Sequence, residues 1–233
     1  MNKNNKVTLS IIFLLTGAII ACRLLHIIDF YTVFTPSMEP NYDTSSFLMA
    51  TSLVQPGYNS VVAYRSQVLP IEGVRATEKG VFIGRITGMG GDILEIRDGR
   101  TYINGRIIDK DIPLKFLYQI SPEIRAANKK QIEEITKGKY IPRNQHTIYL
   151  SDDELQQISG KENLIRLDSK ISHYADDFPV QPSERKVWTL MNYGPIKISE
   201  NHVFIMGDNR HNSEDSRMKG FTHEDDIIST VIN

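Results

Sequence analysis

Two dipeptides near the middle of the chain constrain its fold more than any other feature. From Ile93 to Ile108 the sequence runs Ile-Leu-Glu-Ile-Arg, Asp98-Gly99, Arg-Thr-Tyr-Ile, Asn104-Gly105, Arg-Ile-Ile. A two-residue hairpin turn of the favoured type needs positive φ at both central residues, and Asp-Gly and Asn-Gly are the pairs that accept it. Placed on either side of Arg100–Ile103, they dictate a three-stranded antiparallel meander over residues 93–108. Ahead of it, Gly88-Met89-Gly90-Gly91-Asp92 is a tight turn, because its glycines have free access to positive φ. The β-branched run Val81–Thr87 is a strand entering that turn. A shorter strand is expected within residues 60–64, a loop over 65–80, and an apolar strand at Val203–Met206.

Residues 109–198 differ in character and are expected to be an insertion that carries helices on a β scaffold. Ser121-Pro122-Glu123 opens a helix, with a serine cap and proline at the first helical position. Ile124, Ala127, Ile132 and Ile135 mark its buried face, and Gly138 ends it. Ser151-Asp152-Asp153-Glu154 is a capping box for a second short helix that ends at Gly160. The polar stretch 166–186, with Pro179 and Pro182, is a loop.

The N-terminus carries Lys3 and Lys6, then a largely apolar run over residues 7–28. A membrane-spanning helix needs about 20 such residues. Arg23 and His26 lie near its far end, where a long side chain can reach the interface. A cleavable signal peptide is the rival expectation, but the run is long for one. With basic residues before it, the run is expected to be a retained anchor with residues 30–233 on the outer side. The formal net charge of −1 gives no electrostatic case for nucleic acid. The single cysteine, Cys22, excludes an internal disulfide and any Cys/His metal site of usual spacing. No cofactor is implied.

Just past the apolar run stands Phe34-Thr35-Pro36-Ser37-Met38-Glu39-Pro40. Two prolines favour a stiff, non-helical segment that holds the Ser37 hydroxyl in one direction, with Thr35 two residues before it. On its own this heptapeptide also fits an ordinary loop serine. Near the other end, residues 207–221 read Gly-Asp-Asn-Arg-His-Asn-Ser-Glu-Asp-Ser-Arg-Met-Lys-Gly-Phe. So dense a mixture of charges, asparagine and serine fits a solvated loop or a turn held by side-chain hydrogen bonds.

Taken in order, Ser37–Pro40, Arg85–Asp92 with its hairpin, and Gly207–Phe221 resemble the nucleophile box, the second catalytic box and the C-terminal box of the signal peptidase I family of serine peptidases. The resemblance implies a mainly β, antiparallel catalytic domain with an N-terminal transmembrane helix. The chain then divides into a cytoplasmic N-terminus (1–6), an anchor (7–28), a first part of the β core (30–108), the insertion (109–198) and the C-terminal box (199–233). It implies a membrane-anchored endopeptidase that removes signal peptides from exported preproteins, with Ser37 as nucleophile. Thr35 and the Ser37 N–H would bind the oxyanion. Ser213 would orient the base, Met38 and Ile86 would contact substrate, and Arg85–Asp208 and Asp215–Arg217 would be ion pairs. Partners would be preprotein signal peptides and the lipid bilayer, at the bacterial inner membrane with the catalytic domain on the periplasmic or outer side.

The resemblance breaks at the base. The family's lysine directly precedes the arginine that is Arg85 here, and this chain has Gly84. It also has Gly90 for proline, His211 for aspartate, and Asn59-Ser60 where an aspartate is expected. His211 is the first substitute base to consider, since histidine titrates near neutral pH; Lys79 is the second. A catalytically impaired relative that binds preproteins, or one that works beside a complete paralogue, is the alternative. Self-cleaving repressors with Ser–Lys chemistry need a DNA-binding helical segment ahead of the serine, and the apolar run stands there instead.

Overall fold

The computed structural model describes residues 3–24, 26–67, 79–142, 144–171 and 188–233, and the side chains of all of these except 3–10, 18, 22, 67 and 79. Helix α1 (Lys3–Leu24) starts earlier and ends earlier than the apolar run. Among the described residues no helix is long and apolar enough to cross a membrane.

The scaffold is a seven-stranded antiparallel sheet in the order β1-β2-β14-β3-β4-β12-β13. Its strands are β1 (Asp29–Thr32), β2 (Phe47–Thr51), β3 (Val61–Gln67), β4 (Lys79–Met89), β12 (His202–Met206), β13 (Thr222–His223) and β14 (Ile227–Val231). The spine is β4, longer than the expected 81–87. One edge pairs with β3 from Lys79↔Gln67 to Arg85↔Val61, and the other pairs with β12 from Arg85↔Met206 to Met89↔Val203. Central position in the sheet explains why it is apolar on both sides of Gly84: Val62, Tyr64, Ile86, Val203 and Ile205 form one buried cluster around it.

The meander forms as the turns dictate. Strands β5 (Ile93–Arg97), β6 (Arg100–Ile103) and β7 (Arg106–Ile107) pair in sequence, and β11 (Tyr193–Lys197) adds a fourth strand beside β5. Asp98 and Gly99 have φ of 47° and 78°, and Asn104 and Gly105 have φ of 51° and 79°. Both turns therefore hold two positive φ angles, as this hairpin type requires.

The insertion contains more strand than its sequence suggests. A third sheet, in the order β10-β8-β9, consists of β8 (Lys115–Gln119), β9 (Thr147–Ser151) and β10 (Ile165–Arg166). The helix expected from Ser121 to Gly138 is two: α2 (Pro122–Ala127) and α3 (Lys129–Thr136). Asn128 separates them by side-chain competition for backbone groups. Its amide donates to the carbonyls of Ile124 (2.8 Å) and Ser159 (2.9 Å), and its own carbonyl accepts from the Ser159 N–H (2.8 Å). The capping box at Ser151 and Glu154 is complete and opens α4 (Asp152–Gln156). Most of the expected 166–186 loop lies outside the described residues.

Lys115 ties the insertion to the rest through both its backbone and its charge. Lys115 donates its N–H to the Asp208 carbonyl (3.0 Å) and accepts from the Arg210 N–H (2.9 Å). Its Nζ donates to Glu39 Oε2 at 2.7 Å, with both side chains at least 98% buried (2% and 1% exposed). Removing one partner of a buried pair leaves the other charge uncompensated. Lys115→Ala is therefore expected to lose about 3–5 kcal/mol in chemical denaturation. A double variant with Glu39→Gln should recover part of that loss.

Candidate active site

Ser37 lies on a single 3-10 turn, Pro36–Met38, and so differs from the non-helical segment expected from the two prolines. Pro36 supplies a preset φ at the first helical position, which suits a helical start. Thr35 before it is extended, with φ −125° and ψ 153°. The geometry brings the two hydroxyls together: Thr35 Oγ1 and Ser37 Oγ are 2.9 Å apart. Both open into a cleft of about 460 Å³ that Tyr64, Phe82, Gly207, His211, Ser213 and Glu214 also line.

The C-terminal box holds this turn from behind. The Asn209 N–H donates to the Ser37 carbonyl at 2.9 Å, and its side-chain amide donates to the Pro36 carbonyl at 3.2 Å. Gly207 lets the two segments touch. A Cβ there would lie 2.4 Å from Ser213 Oγ and 2.6 Å from the Ser37 carbonyl oxygen. The glycine is required by close approach, and Ser213 thereby sits against the Ser37 loop.

Buried ion pairs fix the box. Arg85 grips Asp208 with two bonds, Nε to Oδ1 at 2.7 Å and Nη2 to Oδ2 at 2.6 Å. Burial works against the Arg85 charge, but the hydrogen bond and the charge of Asp208, with smaller help from Tyr42 and Asp109, together outweigh it and raise the arginine pKa. Arg217 binds Asp215 in the same two-bond manner, at 2.8 and 2.7 Å. Asp215 also accepts from the Gly207 N–H at 3.2 Å, which links this pair to the Ser37 turn. Burial would raise the Asp215 pKa, yet Arg217 holds it below the usual carboxylate value. Arg210 is wholly buried and donates to the Gly99 carbonyl (2.8 Å) and Asp109 Oδ2 (2.9 Å), joining the box to the meander.

Several expected site residues stand elsewhere. Met38 is fully buried and cannot contact a substrate from the cleft. Ile86 is also fully buried, and it borders a separate cavity of about 240 Å³ with Met89 and Val203. Both face the core because the strand and the 3-10 turn direct neighbouring side chains to opposite sides. His211 reaches the cleft but is committed to structure. Its Nδ1 accepts from the Leu117 N–H (3.1 Å) and its Nε2 faces the Leu167 carbonyl at 2.7 Å. With Nδ1 accepting, Nε2 carries the proton, and no lone pair is left for Ser37. Burial pushes its pKa down to about 4. The expectation that His211 is the base is therefore corrected. The side chain of Lys79 lies outside the described residues.

Gly84 faces a filled space. A Cβ there would be 2.5 Å from Ile205 Cγ2 and 3.2 Å from Tyr64 Cε1. A lysine at 84 would have to displace both, so the pocket is rebuilt around the missing side chain rather than left ready to receive it. Sequence reasoning also missed Asn209 and Asn41. The Asn41 amide donates to Asp208 Oδ2 and to the Pro113 carbonyl, each at 2.8 Å. Asn41 stands beside the serine box and Asn209 inside the C-terminal one, so their place was visible but not their bonding.

Residues 6–232 match the family described as signal peptidase, peptidase S26. The chain belongs to that family. It is 25% identical over 219 residues to the signal peptidase I of Aquifex aeolicus (strain VF5), covering 93% of this chain and 78% of the relative. It is 26% identical over 136 residues to the signal peptidase I S of Bacillus subtilis (strain 168), covering 58% of this chain and 41% of the relative. A crystal structure of a signal peptidase I from Enterococcus faecalis V583 aligns with a TM-score of 0.34 and 17% identity, over 77% of this chain and 98% of that one. Family membership supports signal-peptide removal and serine peptidase chemistry at the family level, in proteins that associate with bacterial membranes.

The His211 contacts carry a pH signature. Its folded pKa is below that of an unfolded histidine, so unfolding takes up a proton between about pH 6.5 and 4. The stability from its neutral form is complete above pH 6.5 and is lost as pH falls towards 4, by up to roughly 3 kcal/mol. His211→Asn should melt with a shallower pH dependence than the parent across this window. Parallel stability curves for the two proteins would contradict it.

Proposed function

We propose that this chain is a membrane-anchored serine endopeptidase that removes signal peptides from exported preproteins. The carrying observation is the Thr35–Ser37 hydroxyl pair, 2.9 Å apart and open to a cleft that Ser213 also lines. In this reaction the Ser37 hydroxyl attacks the scissile carbonyl. The Ser37 N–H and the Thr35 hydroxyl stabilise the oxyanion, where preorganised donors are worth most. Residues 7–28 serve as the anchor at the inner membrane, with the cleft on the periplasmic or outer side and the bilayer as a partner. That placement rests on Lys3, Lys6 and the apolar run.

One observation favours a second reading. Gly84 carries no amine and its space is filled, so the position that supplies the family's base cannot supply one here. A relative that binds preproteins without cutting them, or that assists a complete paralogue, fits this fact.

Detergent-solubilised full chain incubated with a preprotein separates the two. Under the first reading, a product with a new N-terminus appears, and Ser37→Ala lowers its rate by at least about 10³-fold, as for loss of a nucleophile. Binding of preprotein with equal, background cleavage by parent and Ser37→Ala selects the second.

A further inference from the structure

A serine needs a proton acceptor, and position 84 provides none. Lys219 ends α5 (Ser216–Lys219), the helical turn that follows Asp215. Its Nζ is sealed from solvent and has no hydrogen-bond partner among the described residues. It lies 3.8 Å from the centroid of the Phe82 ring. An ammonium in this position has lost its water and, among the described residues, gained no hydrogen bond in return, only the face of an aromatic ring and the charges of Glu214 and Asp215.

The ring is part of the Ser37 cleft. Phe82, Met218 and Glu214 all line it, so Lys219 is joined to the cleft by its ring partner, by its preceding neighbour on α5 and by the residue that leads into that helix. Phe82 stands two residues before Gly84 on β4 and shares its face, about 7 Å away. Tyr64 and Ile205 close the route through the strand at Gly84. Phe82 touches both the Lys219 Nζ and the cleft that holds Ser37.

We infer that Lys219 is the general base for Ser37, reaching the nucleophile across the Phe82 ring. The inference rests on the peptidase reading given above. Its flexible four-carbon stem lets the nitrogen leave the ring and meet the Ser37 hydroxyl when substrate fills the cleft. The neutral amine takes the proton from Ser37 Oγ as Oγ bonds to the scissile carbonyl carbon. The resulting ammonium gives that proton to the departing amine as the C–N bond breaks, leaving an ester on Ser37. Water then attacks the ester, one of its protons passes to Lys219, and Ser37 Oγ takes it back as the ester bond breaks.

The surroundings agree with this role. Burial lowers the Lys219 pKa, while the charges of Glu214 and Asp215 oppose the shift. Asp215 is already bound by Arg217. Across the cleft, Tyr64 on β3 is pushed up by burial and stays neutral, and His211 is neutral with both nitrogens engaged.

The test compares preprotein cleavage by the parent, Lys219→Met, Lys219→Arg and Lys219→Ala, with Ser37→Ala as the reference for a dead enzyme. Lys219→Arg keeps a cation for the Phe82 ring but cannot accept a proton at accessible pH. Both Lys219→Met and Lys219→Arg should lose at least about 100-fold in kcat, the lower end of general-base assistance. Ethylamine added to Lys219→Ala should restore cleavage in proportion to its neutral fraction, which a purely structural lysine would not allow. Cleavage by Lys219→Met within threefold of the parent overturns the inference and leaves the peptidase reading standing. So does loss of cleavage with no amine rescue and an unshifted pH profile. A parent no faster than Ser37→Ala overturns the peptidase reading and the base assignment together.

Discussion

The pairing of Arg85 with Asp208 is the contact on which the rest of the site depends. Four stretches of chain meet on Asp208: β4 through Arg85, the serine segment through the Asn41 amide, the insertion through the Lys115 N–H, and the C-terminal box to which it belongs. Arg85 also donates to the Asn59 carbonyl at 2.7 Å, which closes the turn before β3. A buried carboxylate stripped of its partner is costly enough to distort its surroundings. Here those surroundings are the turn that carries the candidate nucleophile. Lys115–Glu39 and Arg210–Asp109 repeat the device on either side.

That interior explains both what the cleft has and what it lacks. Ser37 is positioned by backbone contacts with Asn209 and by the absence of a Cβ at Gly207, neither of which requires residue 84. A glycine in mid-strand weakens a sheet unless a neighbour takes the space. Ile205 and Tyr64 take it here, turning one wall of the cleft apolar. A burial that depresses an amine pKa is then available to an amine arriving from another element. Phe82 and the end of α5 meet at that wall.

Much of the fold was legible because local chemistry decides it. Asp98-Gly99 and Asn104-Gly105 need no tertiary help to choose their turn, and Ser151 with Glu154 satisfies its own helix start. The ion pairs at Arg85 and Arg217 were legible by resemblance. Elements settled by packing were not. Strand β8 is buried at Lys115, Phe116 and Tyr118, so it lacks the clean alternation that marks a half-exposed strand. The split at Asn128 depends on Ser159, distant in sequence. His211 looked like a base because it is a histidine near Ser213. Its two nitrogens are taken by Leu117 and Leu167, which no local pattern reveals. Lys219 was invisible for the converse reason: on a charged stretch a lysine is ordinarily solvated, and only the fold lays it over Phe82.

The dependence of the serine turn on Asp208 can be measured by amide hydrogen exchange on the full chain, comparing the parent with Asp208→Asn, which keeps the shape and removes the charge. If the Arg85–Asp208 pair holds the site together, residues 34–42, the amide of Lys115 and residues 207–212 should lose protection together by about tenfold or more, while the meander over residues 93–107 stays protected. Parent-like protection at residues 34–42 in Asp208→Asn would contradict the account.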